Sequence, residues 1–454
     1  MARDTADPTP LETREQLLAA LEGGCKPREE WRIGTEHEKF GFYRSDLAPV
    51  PYEGERGIRA LLEGMQRETG WDPITDEGRI IGLAGPPGEG AISLEPGGQF
   101  ELSGAPLENI HETCRESNSH LRQARNVAQP LGIGFLGLGG SPKWSLAQTP
   151  HMPKSRYDIM RAYMPKVGAN GLDMMHRTCT IQVNLDFASE ADMAAKMAIS
   201  TKLQPVATAL FASSPFTDGK PNGCLSWRWE VWTDVDNDRA GLHEFMADEG
   251  QITFERYVDW ALERPMYFIV RDGAYVDMTH ITFARFLEEG FDGHTANEGD
   301  WVNHLSTLFP DVRMKKFLEM RGADGGPWRR ICALPALWVG LLYDDAAMAA
   351  AREVANELSF EDLDAMRAAV PKEGLRAKAG RRTVHDLARD VVDIAREGLK
   401  ARARVNDQGD DETHFLAPLD EVVVLGETQA DRMLRLYGST WEQDVDHVFD
   451  EYAY

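Results

Sequence analysis

The sequence contains few cysteines, and none of them forms a redox or zinc pattern. The 454-residue chain has 5 cysteines, widely spaced and without a Cys-X-X-Cys pair. Zinc-ribbon and thioredoxin-like classes are therefore excluded. Cysteines spaced in this way usually behave as small apolar side chains in a reducing compartment.

Long hydrophobic runs are also missing. The longest one, from Ile331 to Tyr343, is shorter than the roughly 20 residues that a membrane-spanning helix needs. The opening residues, Met1 to Pro8, lack the apolar centre of a signal peptide. These two absences predict a cytoplasmic location and no membrane partner.

Basic residues are scarce. The chain has 49 Lys and Arg against 74 Asp and Glu, a net charge of −25. This balance argues against nucleic acids and anionic membranes as partners. An anionic substrate must therefore be bound by arginines and lysines placed close to it.

A nucleotide-binding loop of a standard type is absent too. The chain has no Walker A sequence, and its single Gly-X-Gly-X-X-Gly stretch is Gly132–Gly137. That stretch is followed by Leu-Gly-Gly-Ser-Pro, which does not start the helix that a dinucleotide site requires. We interpret it as a buried, glycine-rich strand.

What the sequence does contain is a set of strands with one strongly polar face. Arg32–Phe42 places Glu36 and Glu38 on one face and Thr35 and His37 on the other, because side chains alternate along a strand. Taken alone, such a pair is commonplace on a solvated strand face. The pattern recurs three times, with these residues on the polar side: Gln99 and Glu101 in Ile92–Leu102, where Glu95 precedes a Pro-Gly-Gly break; Gln182, Asn184 and Asp186 in Thr180–Phe187; Glu319 and Arg321 in Phe317–Gly322.

This recurrence predicts an antiparallel sheet with one dry face and one wet face. The wet face carries mainly Glu, Gln, Asn and Arg. Carboxylate and amide oxygens suit Mg²⁺, and arginines suit phosphates. The pattern thus favours a metal and phosphate site over an ordinary solvated face.

Five long stretches of the sequence are distinctive: Thr35–Phe42, Ser93–Pro106, Thr178–Phe187, Ser214–Gly223 and Glu319–Arg330. Together they resemble one family, the plant and proteobacterial glutamate–cysteine ligases. The similarity extends from about Trp31 to Asp345. The resemblance implies an ATP-dependent ligase that joins the γ-carboxylate of glutamate to cysteine through γ-glutamyl phosphate, the first step of glutathione synthesis. It also implies an α+β fold, a curved and mostly antiparallel sheet surrounded by helices, as in glutamine-synthetase-like enzymes.

The resemblance also implies site residues. Glu36, Glu38 and Arg321 would be catalytic, and Arg321, Arg329 and Arg330 would bind the nucleotide. Related ligases have a histidine where Gln182 stands. The expected ligands of two or more Mg²⁺ ions are Glu36, Glu38, Glu95, Glu101, Gln182 and Glu319.

Substrate-binding residues are expected in two further stretches. Gly223–Asp234 alternates like a strand, in which Arg228 would clamp a substrate carboxylate. Pro153–Lys166 is basic and aromatic; it fits either a solvated surface helix or a wall that offers cations to anions. The expected substrate-binding residues are Arg228, Asn184, Tyr157, Arg161, Trp227 and Trp232.

The family resemblance further implies a disulfide between Cys114 and Cys332, of the redox-sensitive kind found in plant members. A second plant pair is missing, because Met278 stands where its first cysteine is expected. Redox control of the plant kind is therefore not implied as a whole.

The chain divides into three regions. Residues 1–30 form a loose lead-in, up to residue 10, followed by a helix over Leu11–Glu22. Residues 31–343 form the catalytic core, and 344–454 form a helical region packed on it, with a short strand over Asp420–Leu425. A monomer and a homodimer both remain open. Two alternative functions also remain: a glutamate ligase with another amine acceptor, and a non-catalytic magnesium–nucleotide binder that regulates a partner.

Overall fold

The computed structural model describes residues 4–454, and a long strand lies at its centre. This strand contains two of the predicted acidic residues, Glu36 and Glu38. Within the described residues the strands are β1 (Ile33–Tyr43), β2 (Asp72–Asp76), β3 (Arg79–Ala84), β4 (Ala91–Leu94), β5 (Phe100–Ser103), β6 (Ile133–Leu136), β7 (Thr180–Leu185), β8 (Phe216–Thr217), β9 (Lys220–Pro221), β10 (Ala240–Gly241), β11 (Phe268–Arg271), β12 (Ala274–Asp277), β13 (Phe309–Pro310), β14 (Val312–Met314), β15 (Leu318–Asp324), β16 (Lys378–Ala379) and β17 (Arg382–Thr383).

Helices surround the strands. Over the same residues they are α1 (Arg14–Glu22), α2 (Ile58–Thr69), α3 (Ile110–Ala128), α4 (Ser155–Tyr163), α5 (Gly171–Arg177), α6 (Glu190–Phe211), α7 (Trp227–Trp232), α8 (Phe254–Leu262), α9 (Phe283–Glu289), α10 (Glu298–Ser306), α11 (Trp328–Leu342), α12 (Asp345–Asn356), α13 (Phe360–Glu373), α14 (Val384–Arg402), α15 (Ala417–Leu425), α16 (Gln429–Tyr437) and α17 (His447–Glu451).

One antiparallel sheet organises the site. Its strand order is β14-β15-β7-β1-β5-β4-β3-β2, and β6 pairs with the second half of β1. Glu38 lies opposite Glu101 of β5, and Glu36 lies opposite Gln182 of β7. The sheet therefore brings together side chains that are far apart in sequence.

The dry face of the sheet forms the main core. Leu185, Val183 and Ile181 of β7 are buried there together with α6 and α11. Because α6 lies almost wholly inside, its apolar residues follow no single face. The sheet is thereby fixed from behind, and only its polar face is open to ligands.

The C-terminal helices pack tightly on this core. A Cβ atom on Gly398 of α14 would lie 1.9 Å from the carbonyl oxygen of Gly340 in α11. Two helix backbones in direct contact require glycine at this crossing. The packing agrees with a helical region docked on the core; the domain boundary at residue 343 stays a prediction.

Most of the predicted elements are present. Ser189 caps α6 and Ser359 caps α13 with their side-chain oxygens. The glycine-rich stretch after residue 132 is the buried strand β6. Among the described residues no single helix is long and apolar enough to cross a bilayer; α11 and α12 meet the length and composition only as a pair bent by 93°.

Three predictions about local structure were wrong. Asp420–Leu425 belongs to helix α15, which has Pro418 in its first turn and ends at Gly426 with a positive φ of 63°. Gly223–Asp234 contains helix α7 instead of a strand. The lead-in is not loose from residue 4 onward, since Thr5 and Leu11 hydrogen-bond to the α10 region; residues 1–3 lie outside the described part.

Candidate active site

A cleft of about 140 Å³, open to solvent, lies over the polar face of the sheet. It is lined by polar and aromatic side chains together, as small-molecule sites commonly are. Carboxylates from β1, the β4–β5 turn and β5 line one side, and arginines from α4, α7, β14 and β15 line the other. Tyr157 and Trp232 contribute aromatic surface to the same cleft.

The acidic wall consists of Glu36, Glu38, Glu95 and Glu101. Among residues 4–454, none of these carboxylates has an ion-pair partner within 4.0 Å. Their hydrogen bonds come instead from neutral donors: Asn184 Nδ2 to Glu36 at 3.0 Å, the Thr180 backbone N–H to Glu38 at 2.9 Å, and Ser93 Oγ to Glu101 at 2.6 Å. Among residues 4–454 the wall therefore consists of carboxylates that no cation contacts directly.

Burial and crowding alter the titration of this wall. Burial, together with the charges of Glu95 and Glu101, raises the pKa of Glu38 well above its usual range. Burial and the neighbouring Glu101 also raise the pKa of Glu95. A bound cation would relieve this repulsion and favour the ionised forms.

Among the described residues, the four carboxylates of the acidic wall do not form a preformed metal cage. Within the part of the chain that the structure describes, no three His, Cys, Asp or Glu side chains stand close enough to hold one ion together. Mg²⁺ does not need such a cage, because it keeps several water ligands and binds through one or two carboxylates plus substrate phosphates. Four unpaired carboxylates on one wall fit that mode of binding.

The opposite wall is basic. It contains Arg156, Arg228, Arg313 and Arg321. Arg228 Nη2 donates to the backbone oxygen of Arg321 at 2.9 Å, while its buried Nη1 has no hydrogen-bond acceptor among the described residues. Arg228 thus presents an unused donor in a place where a substrate carboxylate could bind.

A buried acid at the end of β15 positions Arg228. Asp324 accepts hydrogen bonds from the Ser213 backbone N–H at 2.9 Å and from the Ser214 and Ser226 hydroxyls, each at 2.7 Å. Ser226 also caps α7 by accepting from the Trp229 N–H. This cap makes the segment helical despite its alternating pattern, and it attaches the helix of Arg228 directly to β15.

Glu319 has surroundings opposite to those of the acidic wall. Its carboxylate accepts from Arg313 Nη2 at 2.7 Å, pairs with Lys315 Nζ at 2.7 Å, and also pairs with Arg321 Nη1. Burial alone would raise its pKa, but these cations hold the pKa well below the usual range. Glu319 is fully buried and does not line the cleft; to bind a metal, as predicted, it would have to give up these contacts.

The other predicted residues fall into two groups. Gln182, Tyr157 and Trp232 line the cleft, and Asn184 contacts Glu36. Gln182 Oε1 already accepts from Arg321 Nη1 at 2.8 Å, so it connects the acidic and basic walls.

The second group lies away from the cleft. Arg161 pairs with Asp158, and Trp227 stacks with Arg177 outside the lining. Arg329 is exposed and pairs with Glu421 at 3.6 Å; Arg330 donates to the Leu210 backbone oxygen at 2.8 Å, behind the sheet. These four residues do not reach the cleft, because the helices that carry them direct them into other contacts.

Sequence reasoning missed two arginines and one acid. Arg156 lies in the basic stretch already singled out, but periodicity alone did not separate it from Arg161. Arg313 lies on β14, a three-residue strand too short to show alternation. Asp324 gave no signal at all, because its role depends on serines more than 90 residues away.

The two cysteines of the implied disulfide lie side by side as free thiols. A hydrogen bond between them lowers the pKa of Cys114 and, with burial, raises that of Cys332. Their proximity is compatible with a disulfide, and its formation stays a prediction.

The sheet, its polar face and the helices around it form a fold that is shared with a solved ligase structure. A crystal structure of the glutamate–cysteine ligase of Francisella tularensis in complex with AMP matches with a TM-score of 0.53 at 13% identity, over 90% of this chain and 85% of that one. At this identity the match supports the fold only. The predicted α+β architecture is confirmed.

The particular family follows from the sequence comparison. The model of glutamate-cysteine ligase family 2 matches residues 32–451, and the chain belongs to this family. Glutamate–cysteine ligase B of Oryza sativa is 51% identical over 97% of this chain and 87% of its own length; that of Arabidopsis thaliana is 52% identical over 97% and 83%. Both relatives are named as chloroplastic, so the prediction of a cytoplasmic location is wrong by this comparison.

Proposed function

We propose that this chain uses ATP to join the γ-carboxylate of glutamate to the amine of cysteine. The products are γ-glutamylcysteine, ADP and phosphate, and the intermediate is γ-glutamyl phosphate. The observation that carries the proposal is the cleft itself, which four arginines share with four carboxylates that have no ion-pair partner among residues 4–454. Membership of the ligase family supports the same reaction.

The acidic wall would bind magnesium ions. Glu36, Glu38, Glu95 and Glu101 supply the oxygen ligands, and Gln182 is placed to add an amide oxygen. These residues would hold Mg²⁺, which would supply the positive charge that compensates the ATP phosphates during transfer. Glu319 is not among the proposed ligands, because three neighbouring cations already compensate its charge. They are Arg313, Lys315 and Arg321.

Two arginines of the cleft, Arg321 and Arg228, would bind different anionic groups of the reactants. Arg321, oriented by Glu319 and Gln182, faces the cleft and would stabilise the negative charge that develops on the transferred phosphoryl group. Burial lowers the pKa of Arg321 to about 10, so its guanidinium stays charged at neutral pH. Arg228, with its unused Nη1 donor, would hold a carboxylate of glutamate.

The reaction balances without a protein nucleophile. An oxygen of the γ-carboxylate attacks the γ-phosphorus of ATP, and the bond to ADP breaks. The amine nitrogen of cysteine then attacks the acyl carbon, phosphate leaves, and the amine loses a proton. The cleft has to bind and orient the reactants and compensate the phosphate charge, which its two walls are equipped to do.

The test is to measure phosphate release from ATP and glutamate, with and without cysteine, and to identify the product by mass spectrometry. We expect release that depends on Mg²⁺ and on cysteine, with γ-glutamylcysteine formed in equal amount. Better release with another amine would indicate a different acceptor. No release with any amine would leave only a binding role and would contradict the proposal.

A paired variant links the result to the cleft. Glu36→Gln keeps the hydrogen bond from Asn184 within reach while removing one charge from the acidic wall. We expect turnover to fall below detection, with an unchanged circular dichroism spectrum. Glu12→Gln, at an exposed position outside the cleft, is the matched control and should keep full activity.

A further inference from the structure

A segment at the start of the described chain, the leading arm (residues 4–11), is attached to the region of α10. Thr5 and Asn303 exchange two hydrogen bonds, from Thr5 N to Oδ1 at 2.8 Å and from Asn303 Nδ2 to the Thr5 oxygen at 3.0 Å. The Gly299 N–H donates to the Asp7 oxygen at 3.0 Å, and the Leu11 N–H donates to the Ala296 oxygen at 3.1 Å. The arm therefore follows a defined path.

Gly299 makes this path possible. A Cβ atom at this position would lie 2.7 Å from the backbone nitrogen of Asp7 and 2.9 Å from its oxygen. Both are backbone atoms that cannot rotate away. The close contact of the arm with α10 thus depends on glycine at residue 299.

This path places Asp4 next to Arg156, a residue of the cleft. One carboxylate oxygen of Asp4 pairs with Arg156 Nη1 at 2.7 Å, and the other accepts from the Tyr275 hydroxyl at 2.5 Å. The side chains of Asp4 and Arg156 are only 8% and 12% exposed. The contact is therefore a shielded ion pair that joins the arm to both α4 and the β11–β12 hairpin.

Arg156 is a cleft residue, and Asp4 is its only ion-pair partner among residues 4–454. Burial alone would raise the pKa of Asp4, but the charge of Arg156 and the Tyr275 hydroxyl keep it below its ordinary value. Asp4 is consequently a carboxylate anion at neutral pH. The Asp4 carboxylate thus pairs with the Arg156 guanidinium, which lines the cleft proposed to bind a dicarboxylic substrate.

We propose that Asp4 is an intramolecular competitor for the carboxylate of glutamate at Arg156, and that the leading arm is an autoinhibitory segment. The inference rests on the proposed function, because glutamate is the ligand with which Asp4 competes. A tethered group competes at an effective concentration that reaches the millimolar range. A substrate carboxylate must displace Asp4 before it can pair with Arg156, so the arm raises the concentration of glutamate needed for half saturation.

The opposite role for the arm makes a different prediction. If Asp4 only completed the wall of the cleft, its removal would weaken glutamate binding or slow turnover. If Asp4 competes, its removal strengthens glutamate binding and leaves turnover unchanged. The sign of the change in KM therefore distinguishes the two roles.

The test uses the full chain with Asp4→Asn, which removes the charge and keeps the size. We expect KM for glutamate to fall by about three- to tenfold, the net scale of one hydrogen bond, with kcat unchanged. Asp7→Asn is the matched control: Asp7 lies in the same arm, and among residues 4–454 its side chain bonds locally, to the Thr9 N–H. The control should have the KM of the unmodified chain.

Hydrogen exchange provides a second readout that does not need turnover. Saturating glutamate, added without ATP or cysteine, should speed exchange at the Thr5 and Gly299 amides, whose bonds hold the arm. An unchanged or raised KM in Asp4→Asn, or unchanged or slower exchange at these amides, would overturn the inference. Absence of γ-glutamylcysteine synthesis by the unmodified chain would instead contradict the proposed function, so the two failures are distinguishable.

Discussion

Glu38 and Glu319 have the same side chain, belong to the same sheet, and are used in opposite ways. Glu38 lies among other carboxylates, has no ion-pair partner among the described residues, and has a raised pKa. Glu319 lies among three cations, and its pKa is depressed. The difference indicates that uncompensated acids are kept for ligands from solution, whereas compensated acids fix the arginines that meet those ligands.

The largest effect is expected from Glu38→Gln. Under the proposed function, the wall without this charge would bind Mg²⁺ and its nucleotide less well, and we expect kcat to fall about 10³-fold or more. In metal-free buffer the same variant should melt about 2 °C higher, because one source of repulsion is gone. Turnover assays and thermal melts measure both effects; a variant that lost stability would show that Glu38 supports the fold, and the contrast with Glu319 would fail.

The pH dependence of the melt tests the cause of that gain. Because the folded pKa of Glu38 is raised, the folded chain binds its proton at a higher pH than the unfolded chain does. The associated stability is complete below the ordinary carboxyl pKa of about 4.3, and it is lost as pH rises through the folded value. The difference in melting temperature between Glu38→Gln and the unmodified chain should therefore be larger at pH 8 than at pH 5.

The next largest effect is expected from Glu319→Gln, with the opposite sign for stability. It leaves Arg313, Lys315 and Arg321 without their shared counter-charge in a buried place. Breaking a buried ion pair on one side costs about 3–5 kcal/mol, so chemical denaturation should show a clear loss of stability. Adding Mg²⁺ should not restore it; full rescue by Mg²⁺ would indicate that Glu319 is a metal ligand after all.

The smallest of these effects is expected from Arg228→Lys. Lysine keeps the charge but cannot donate to the Arg321 oxygen and to a carboxylate in the same planar geometry. We expect KM for glutamate to rise about 10- to 100-fold, with KM for ATP nearly constant. An equal rise in both constants would place Arg228 between the two substrates and not on glutamate alone.

The sequence predicted the wet face of the sheet well, because strand alternation depends only on local spacing. Glu36 and Glu38 point into the cleft and His37 points away from it, as their positions indicated. Alternation does not determine which acids become neutralised. Glu319 looked like Glu38 in the sequence, and the residues that set it apart are brought close by a turn and a three-residue strand.

The sequence pattern did not predict helices whose formation depends on tertiary contacts. Gly223–Asp234 alternates like a strand, yet it forms α7 because Asp324 holds its capping serine from across the fold. The nucleotide-binding role that the resemblance implies for Arg329 and Arg330 stays a prediction that their placement does not support. Both lie in the first turn of α11, which directs them away from the cleft.

The anchoring of α7 on β15 has a consequence for the reactants. Arg228 donates to the carbonyl oxygen of Arg321, and Asp324, three residues farther along the strand, secures the helix. The Arg228 guanidinium is therefore held at a set distance from the strand that carries Arg321. Under the proposed function, a main-chain contact thus spaces the donor acid from the phosphoryl group that it attacks.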